Sequence, residues 1–371
     1  MKIAQIAPLM ESVPPRLYGG TERIVSYLTE ELVQLGHEVT LFASGDSVTT
    51  AGLAGCAAQA LRLDANVRDP IPYYMLMLDR VRRAADQFDV LHFHIDHFQF
   101  PLFRDMAGRT VTTLHGRQDI PELRALYAGF DDMALVSISD AQRAPVPQAN
   151  FAATIHHGLP ATLHRPRVHP RGGYVAFLGR ISPEKRPDRA IALARALGVP
   201  LKIAAKVDKV DESYFREQIA PLLDAPGVEF IGEINETQKD DFLGEASALL
   251  FPIDWPEPFG LVMIEAMACG TPVLAFRHGS VAEVIENDVS GHVVDTMEEA
   301  ICALPRTMSL NRSRVRQRFV ERFSARRMAM DYVKVYRSLM NRVRVDRHVA
   351  EEAPLAPIAA AARGDTRNYV D

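Results

Sequence analysis

Glu257 and Glu265 stand at the two ends of EPFGLVMIE, and the residue types between them suit a nucleotide. Pro256 and Pro258 flank the first glutamate. Each proline fixes its own φ and biases the residue before it toward an extended backbone, so Glu257 belongs to a held-open loop. Phe259 and Gly260 then open an apolar helix. The N–H groups of Gly260, Leu261 and Val262 lack partners inside that helix and carry its partial positive charge, which makes an anion site. Glu265 follows within the apolar run LVMIEAMA. A carboxylate there needs either a buried base or hydroxyl donors such as those of a ribose. One such glutamate is as often a buried ion-pair partner as a ligand contact; the whole constellation favours the ligand.

A second group lies in FLGRISPEKRPD, where a strand ends at Gly179 and Arg180 and Lys185 flank a Ser-Pro turn. Arginine offers a planar fork to two phosphate oxygens, and lysine a compact movable charge. At a strand's C-terminal end the pair would neutralise a diphosphate leaving group. Taken alone, two cations at a helix start are more often simply solvated. The chain has no Asp-x-Asp triplet to bridge a diphosphate through a divalent ion, so no metal and no cofactor are expected. His92, His94 and His97 in LHFHIDHF form the rival metal cluster, since residues two apart on a strand share a face. Their place at a strand end gives them a cleft-lining role instead.

Elements must hold these groups, and the chain supplies them in a regular rhythm. Short β-branched runs alternate with amphipathic helical stretches, as in βαβ units with parallel sheets. Strands are expected at Lys2–Ala7, GHEVTLFAS, DVLHFH, RTVTTLH and ALVSIS, with a glycine loop at Gly19-Gly20 leading into a helix. HRPRVHPRGG, from His164 to Gly173, breaks the rhythm with linker chemistry. A second series follows in YVAFLGR, LKIAA, VEFIG, ALLFP and TPVLAF. The expected units are 1–166, 167–323, a helix over 324–346 and an unstructured Ala/Pro-rich tail over 347–371. Ligands in such sheets sit beyond the strands' C-terminal ends, so two doubly wound domains define a cleft.

Composition narrows the function further. The 371 residues are 47% hydrophobic and 24% charged, a globular balance that suits two domains. A net charge of -5 gives nucleic-acid binding no general support. Cys56, Cys269 and Cys302 form no paired motif, and MKIAQIAPLMESVPP is interrupted too early for a secretory segment, so a cytoplasmic protein is expected. Between 311 and 347, twelve Lys or Arg stand against three Asp or Glu. Met328, Tyr332, Val335 and Leu339 recur there at helical spacing. A packed helix with a solvated basic face is the simpler reading, and peripheral contact with an anionic membrane is the other.

The chain resembles the family-4 glycosyltransferases of the GT-B fold from Met1 to about Met340. The family's E-x7-E motif matches Glu257 to Glu265, and its GR-x4-K motif matches Gly179, Arg180 and Lys185. Its N-terminal glycine loop matches YGGTER, Gly19 to Arg23, and the histidine after an N-domain strand matches His115 in TTLHG. IHHGLP at Ile155 to Pro160 departs from an Asn-Gly-Val-like turn on the acceptor side. The resemblance implies two Rossmann-like domains facing across a cleft, with the C-terminal helix packed back on the first. It implies Arg180 and Lys185 on the diphosphate, with Gly19 and Gly20 approaching from the other domain. Glu265 would take the ribose, Glu257 the donor sugar, and His115 would lie over the reacting sugar. It further implies retention of configuration, no metal, a uridine or guanosine diphosphate hexose as donor, and a glycan, lipid-linked or small-molecule acceptor. Glycoside hydrolysis, the other use of a carboxylate pair, needs a strong acid where this chain supplies cations. A sugar-nucleotide epimerase and a non-catalytic sugar-nucleotide-binding protein are the alternatives. A dehydrogenase lacks its G-x-G-x-x-G.

Overall fold

The computed structural model describes residues 1–16 and 19–352, as backbone alone from 342 onward. Two all-parallel sheets carry the fold. The first contains β1 (Lys2–Ile6), β2 (Glu38–Ser44), β3 (Gly52–Ala57), β4 (Val90–Phe93), β5 (Thr110–Thr113), β6 (Ala134–Ser137) and β7 (Phe151–Thr154), in the order β3-β2-β1-β4-β5-β6-β7. The second contains β8 (Val175–Arg180), β9 (Leu201–Lys206), β10 (Val228–Gly232), β11 (Ala248–Phe251), β12 (Val273–Phe276) and β13 (Gly291–Val294), in the order β10-β9-β8-β11-β12-β13. Helices cover both faces, which is why whole strands such as Ala248–Phe251 are buried. Alternate residues feed opposite cores: Ile3 packs on one side of β1, Ala4 and Ile6 on the other.

Strand order reverses at β1, between β2 and β4, and again at β8, between β9 and β11. Each reversal opens a crevice beyond the strand ends, and the two crevices face each other. This is the expected pair of doubly wound domains. The linker segment that begins at His164 is anchored to the second domain. His164 is buried, and Arg167 pairs with Glu245 at 2.7 Å and also with Asp241.

The basic C-terminal stretch is two helices, Arg312–Phe323 and Ala325–Glu352, rather than one. Ser324 is extended because Leu159 pairs there: its N–H donates to Phe323 O (2.9 Å) and its carbonyl accepts from Ala325 (2.8 Å). Gly158 permits the approach, since a Cβ on it would lie 2.4 Å from Ser324 O. The second helix crosses back onto the first domain as expected, burying Met328, Tyr332, Tyr336 and Leu339. It runs to Glu352, so the first six residues of the expected tail are helical; 353–371 lie outside the described residues.

Much of the basic charge points inward. Arg312 donates to the carbonyls of Arg167, Ala246 and Gly244, Arg316 to Ala268 O, and Arg327 to His156 O and His157 O. That leaves less of it for a lipid surface than composition suggested. Among the described residues, no helix is long and apolar enough to cross a membrane.

Candidate active site

A cavity of about 590 Å³ lies between the two sets of strand ends and is lined by residues of both domains. Gly19 precedes the Gly20–Gln34 helix with φ of 156°, and a Cβ on it would fall 2.7 Å from Pro15. Only glycine suits that position. A Cβ on Gly20 would meet Leu261 of the opposite domain at 3.5 Å. The starts of the Gly20–Gln34 and Leu261–Ala268 helices therefore face one another, bringing two positive dipole ends to one wall.

The Glu257 loop is held by its carbonyls. Glu257 O accepts from Ser280 N (3.0 Å), Phe259 O from Ser280 Oγ (2.8 Å), and Pro258 O from Ser139 Oγ of the first domain (2.7 Å). Gly279 leaves room for the loop, for a Cβ there would overlap Glu257 O at 2.2 Å. Gly260 has φ of 79° and turns the chain into the helix. Phe259 is buried and meets the ring of His157 edge-on.

Expected residues converge on this cavity and pair with one another. Lys185 Nζ bonds Glu257 directly, Trp255 Nε1 donates to the same carboxylate at 3.0 Å, and the ammonium lies 4.8 Å from the Trp255 ring centre. Arg180 bonds Glu184 at 3.0 Å, with Asp208 and Asp211 at 3.6 and 3.9 Å. Gly19, Gly20, Gly179, His115, Leu261 and Val262 line the cavity beside them, as does Lys206 from β9.

Glu265 has a buried base beside it: Lys239 Nζ sits 2.7 Å away. Burial pushes the carboxyl's pKa up, but Lys239, His164 and Arg23 together hold it below the ordinary value. Lys239 also reaches Glu236 (3.4 Å), which Arg23 of the first domain grips at 2.7 Å. His164, Glu236 and Glu265 could together ligate a cation, as could His164, Asp240 and Cys269. In the first set the Lys239 ammonium already meets both carboxylates.

His115 follows β5. Its ring stacks on His157 at 5.3 Å and 19°, its Nε2 lies 2.9 Å from His94 Nδ1, and burial holds its pKa down at about 3. Burial thus favours its neutral form. His92 and His94 spend their ring nitrogens on Thr113, Tyr336, Gln5 and His115 rather than converging with His97 on a metal.

Comparison with known proteins agrees with this geometry. The model for glycosyl transferases group 1 matches residues 164–322, and that for glycosyltransferase family 4 matches 18–198. A phosphatidyl-myo-inositol mannosyltransferase of Mycobacterium leprae is 26% identical over 348 residues, covering 86% of this chain and 90% of that one. AviGT4, a glycosyltransferase involved in avilamycin A biosynthesis, superposes with a TM-score of 0.69 at 26% identity, over 92% of this chain and 98% of that one. Anabaena HepE in complex with UDP and glucose has the same fold, with a TM-score of 0.69 at 17% identity, over 91% of this chain and 100% of that one.

The chain belongs to the family-4 glycosyltransferases.

This glycosyltransferase also places residues in its cleft that motif reading passed over. Lys239, Trp255 and His157 all line it. His157 falls within IHHGLP, which in sequence registers only as a departure from the family turn. Lys239 had a faint signal, a lysine three residues after Glu236 on the Glu236–Gly244 helix. Trp255, the chain's single tryptophan, adjoins the proline-bounded loop.

Proposed function

We propose that this glycosyltransferase moves a hexose from a uridine or guanosine diphosphate sugar to an acceptor hydroxyl, with retention and without a divalent metal. The observation that carries the reading is the convergence of charge at the two switch points. Arg180, Lys185 and two facing helix starts stand where a diphosphate would lie. Lys185 would exchange Glu257 for phosphate, which frees Glu257 for the sugar hydroxyls, and Glu265 would take the ribose. His115 supports retention. A group held near pKa 3 is a poor base for an alcohol, so the leaving phosphate is the better acceptor of that proton. The acceptor, a glycan, lipid-linked or small molecule, would enter beside His115 from the first domain. The M. leprae relative named above is a mannosyltransferase and HepE is described with UDP and glucose, which supports a hexose and a nucleotide of this class.

The test is a thermal-shift screen of nucleotide sugars, then anomeric proton NMR of the product. A ligand at about 100 times its Kd adds roughly 2.7 kcal/mol. An α-linked donor should give an α-linked product, in excess EDTA as without it. A β-linked product would overturn retention, and loss of turnover restored by manganese would overturn the metal-free reading. Arg180→Ala and Lys185→Ala should each slow turnover by about 10²–10³. Unchanged kinetics in both would remove the diphosphate assignment.

A further inference from the structure

A buried polar chain runs from the crossing helix to the cleft. Gln5 sits mid-strand in β1, fully buried, and pairs in register with His92 of β4. Its amide nitrogen lies 3.1 Å from Tyr336 Oη and 3.3 Å from His92 Nδ1. Its carbonyl oxygen lies 2.8 Å from His94 Nε2. His92 Nδ1 meets Tyr336 Oη at 2.7 Å, and its Nε2 meets Thr113 Oγ1 at 2.7 Å. Thr113 in turn meets Tyr332 Oη at 2.9 Å. At the other end, His94 Nδ1 meets His115 Nε2 at 2.9 Å. A polar stripe of this length inside a parallel sheet is costly unless every member is satisfied.

We propose that His94 and Gln5 are positioning residues that fix His115 as its Nε2–H tautomer, so that Nδ1 presents a hydrogen-bond acceptor to a hydroxyl of the donor sugar. This rests on the reading of His115 as the residue over that sugar. The bonds run in one sense. The Gln5 carbonyl accepts from His94 Nε2–H, which leaves His94 Nδ1 bare, and bare Nδ1 accepts from His115 Nε2–H. Beyond Gln5, the amide donates to Tyr336, Tyr336 donates to His92 Nδ1, and His92 Nε2–H donates to Thr113.

Turning the Gln5 amide over would reverse the series and put a proton on His115 Nδ1. Among the described residues that atom is buried and has no hydrogen-bond partner. A buried N–H without an acceptor is the rarer and costlier defect, whereas a bare nitrogen awaits a donor. A donor-sugar hydroxyl meets it once the side chains that cover this atom move aside. A neutral acceptor also suits a carbon that develops positive charge, which an imidazolium would repel. The two tyrosines at the far end, one helical turn apart, give the crossing helix a part in the site.

The tautomer can be read without turnover. Long-range proton–nitrogen correlation NMR on the full chain, labelled at histidine nitrogens, should show His115 with protonated Nε2 and bare Nδ1. Its signals are assigned by their loss in His115→Asn. A wild-type spectrum with His115 Nδ1 protonated overturns the proposal, whatever the enzyme's substrate proves to be. Substitution gives a second reading. Asparagine at 94 keeps an acceptor near the place of Nδ1, and glutamine reaches only toward that of Nε2. His94→Gln should lower kcat about tenfold, the worth of one neutral hydrogen bond, with nucleoside diphosphate Kd unchanged, and His94→Asn should recover most of the loss. Equal losses in the two variants, with the His115 tautomer unmoved, would mean that His94 only fills space.

Discussion

Lys239 shows what residue types disclose and what they conceal. Glu265 could be singled out because a carboxylate in LVMIEAMA demands a partner, yet nothing near it in sequence supplies one. The partner comes from 26 residues upstream, brought in by the packing of two helices. Arg180, Lys185, Glu257 and His115 were legible because each belongs to a short motif with its own spacing. Their mutual pairing was not, since Lys185 meets Glu257 across 72 residues. The Glu265–Lys239 pair is mostly buried, so removing one member strands the other. Lys239→Met should cost about 3–5 kcal/mol by urea denaturation, and Lys239→Met with Glu265→Gln markedly less than the single change. A double variant as unstable as the sum of its parts would show that the two side chains act independently.

Among elements, strands with β-branched or aromatic runs announced themselves. β1, β2, β4, β5 and β6 lie where periodicity placed them, and so do β8 to β12. GLAGCA, FAAT and GHVV (β3, β7 and β13) did not: all three are edge strands paired on one side only, the first two are mostly small residues, and the third has only two β-branched positions. The C-terminal break at Ser324 was likewise hidden, because it is caused by Leu159 in another part of the chain. Charge was misleading here too: a run of arginines reads as a solvated face. Arg312 is instead 8% exposed and also donates to Thr271 Oγ1 at 2.7 Å, tying the Arg312–Phe323 helix to the second domain. Burial lowers its pKa to about 10 against the opposing effect of Cys269 and Glu245, still far above neutrality. Arg312→Ala would strand the buried carbonyls of Ala246 and Gly244, at about 1–3 kcal/mol apiece, and the part-buried carbonyl of Arg167. Loss of at least about 3 kcal/mol, only partly restored by Arg312→Lys, should appear in the urea midpoint. A change under 1 kcal/mol would mean that water replaces the guanidinium.

At the scale of the whole molecule, one apolar core holds residues of both domains and of the crossing helix, from Ile3 through Phe251 and Phe259 to Tyr336. Close to it lie His92, His94, His115 and His157, and burial holds all four below the ordinary histidine pKa, with neighbouring imidazoles adding to the effect at His92, His94 and His157. This fixes the sign of the acid response. In the unfolded chain these groups take up protons near their ordinary value of 6.5, whereas the folded protein resists. Stability is therefore complete above that pH and falls as the pH drops through it toward the folded values. Each group contributes up to about 1.4 kcal/mol per pH unit, so several kcal/mol should disappear between pH 7.5 and 5.5. Glu11, Glu22 and Asp96 act the other way, since burial raises their pKa values and they bind protons more readily when folded. Their effect opposes the decline caused by the histidines. Urea unfolding followed at half-unit steps of pH should thus give a midpoint that falls on acidification well before carboxylates titrate. A midpoint that stayed level or rose from pH 7.5 to 5.5 would show the histidines protonating within the fold, and His115 could no longer serve as a neutral acceptor in the cleft.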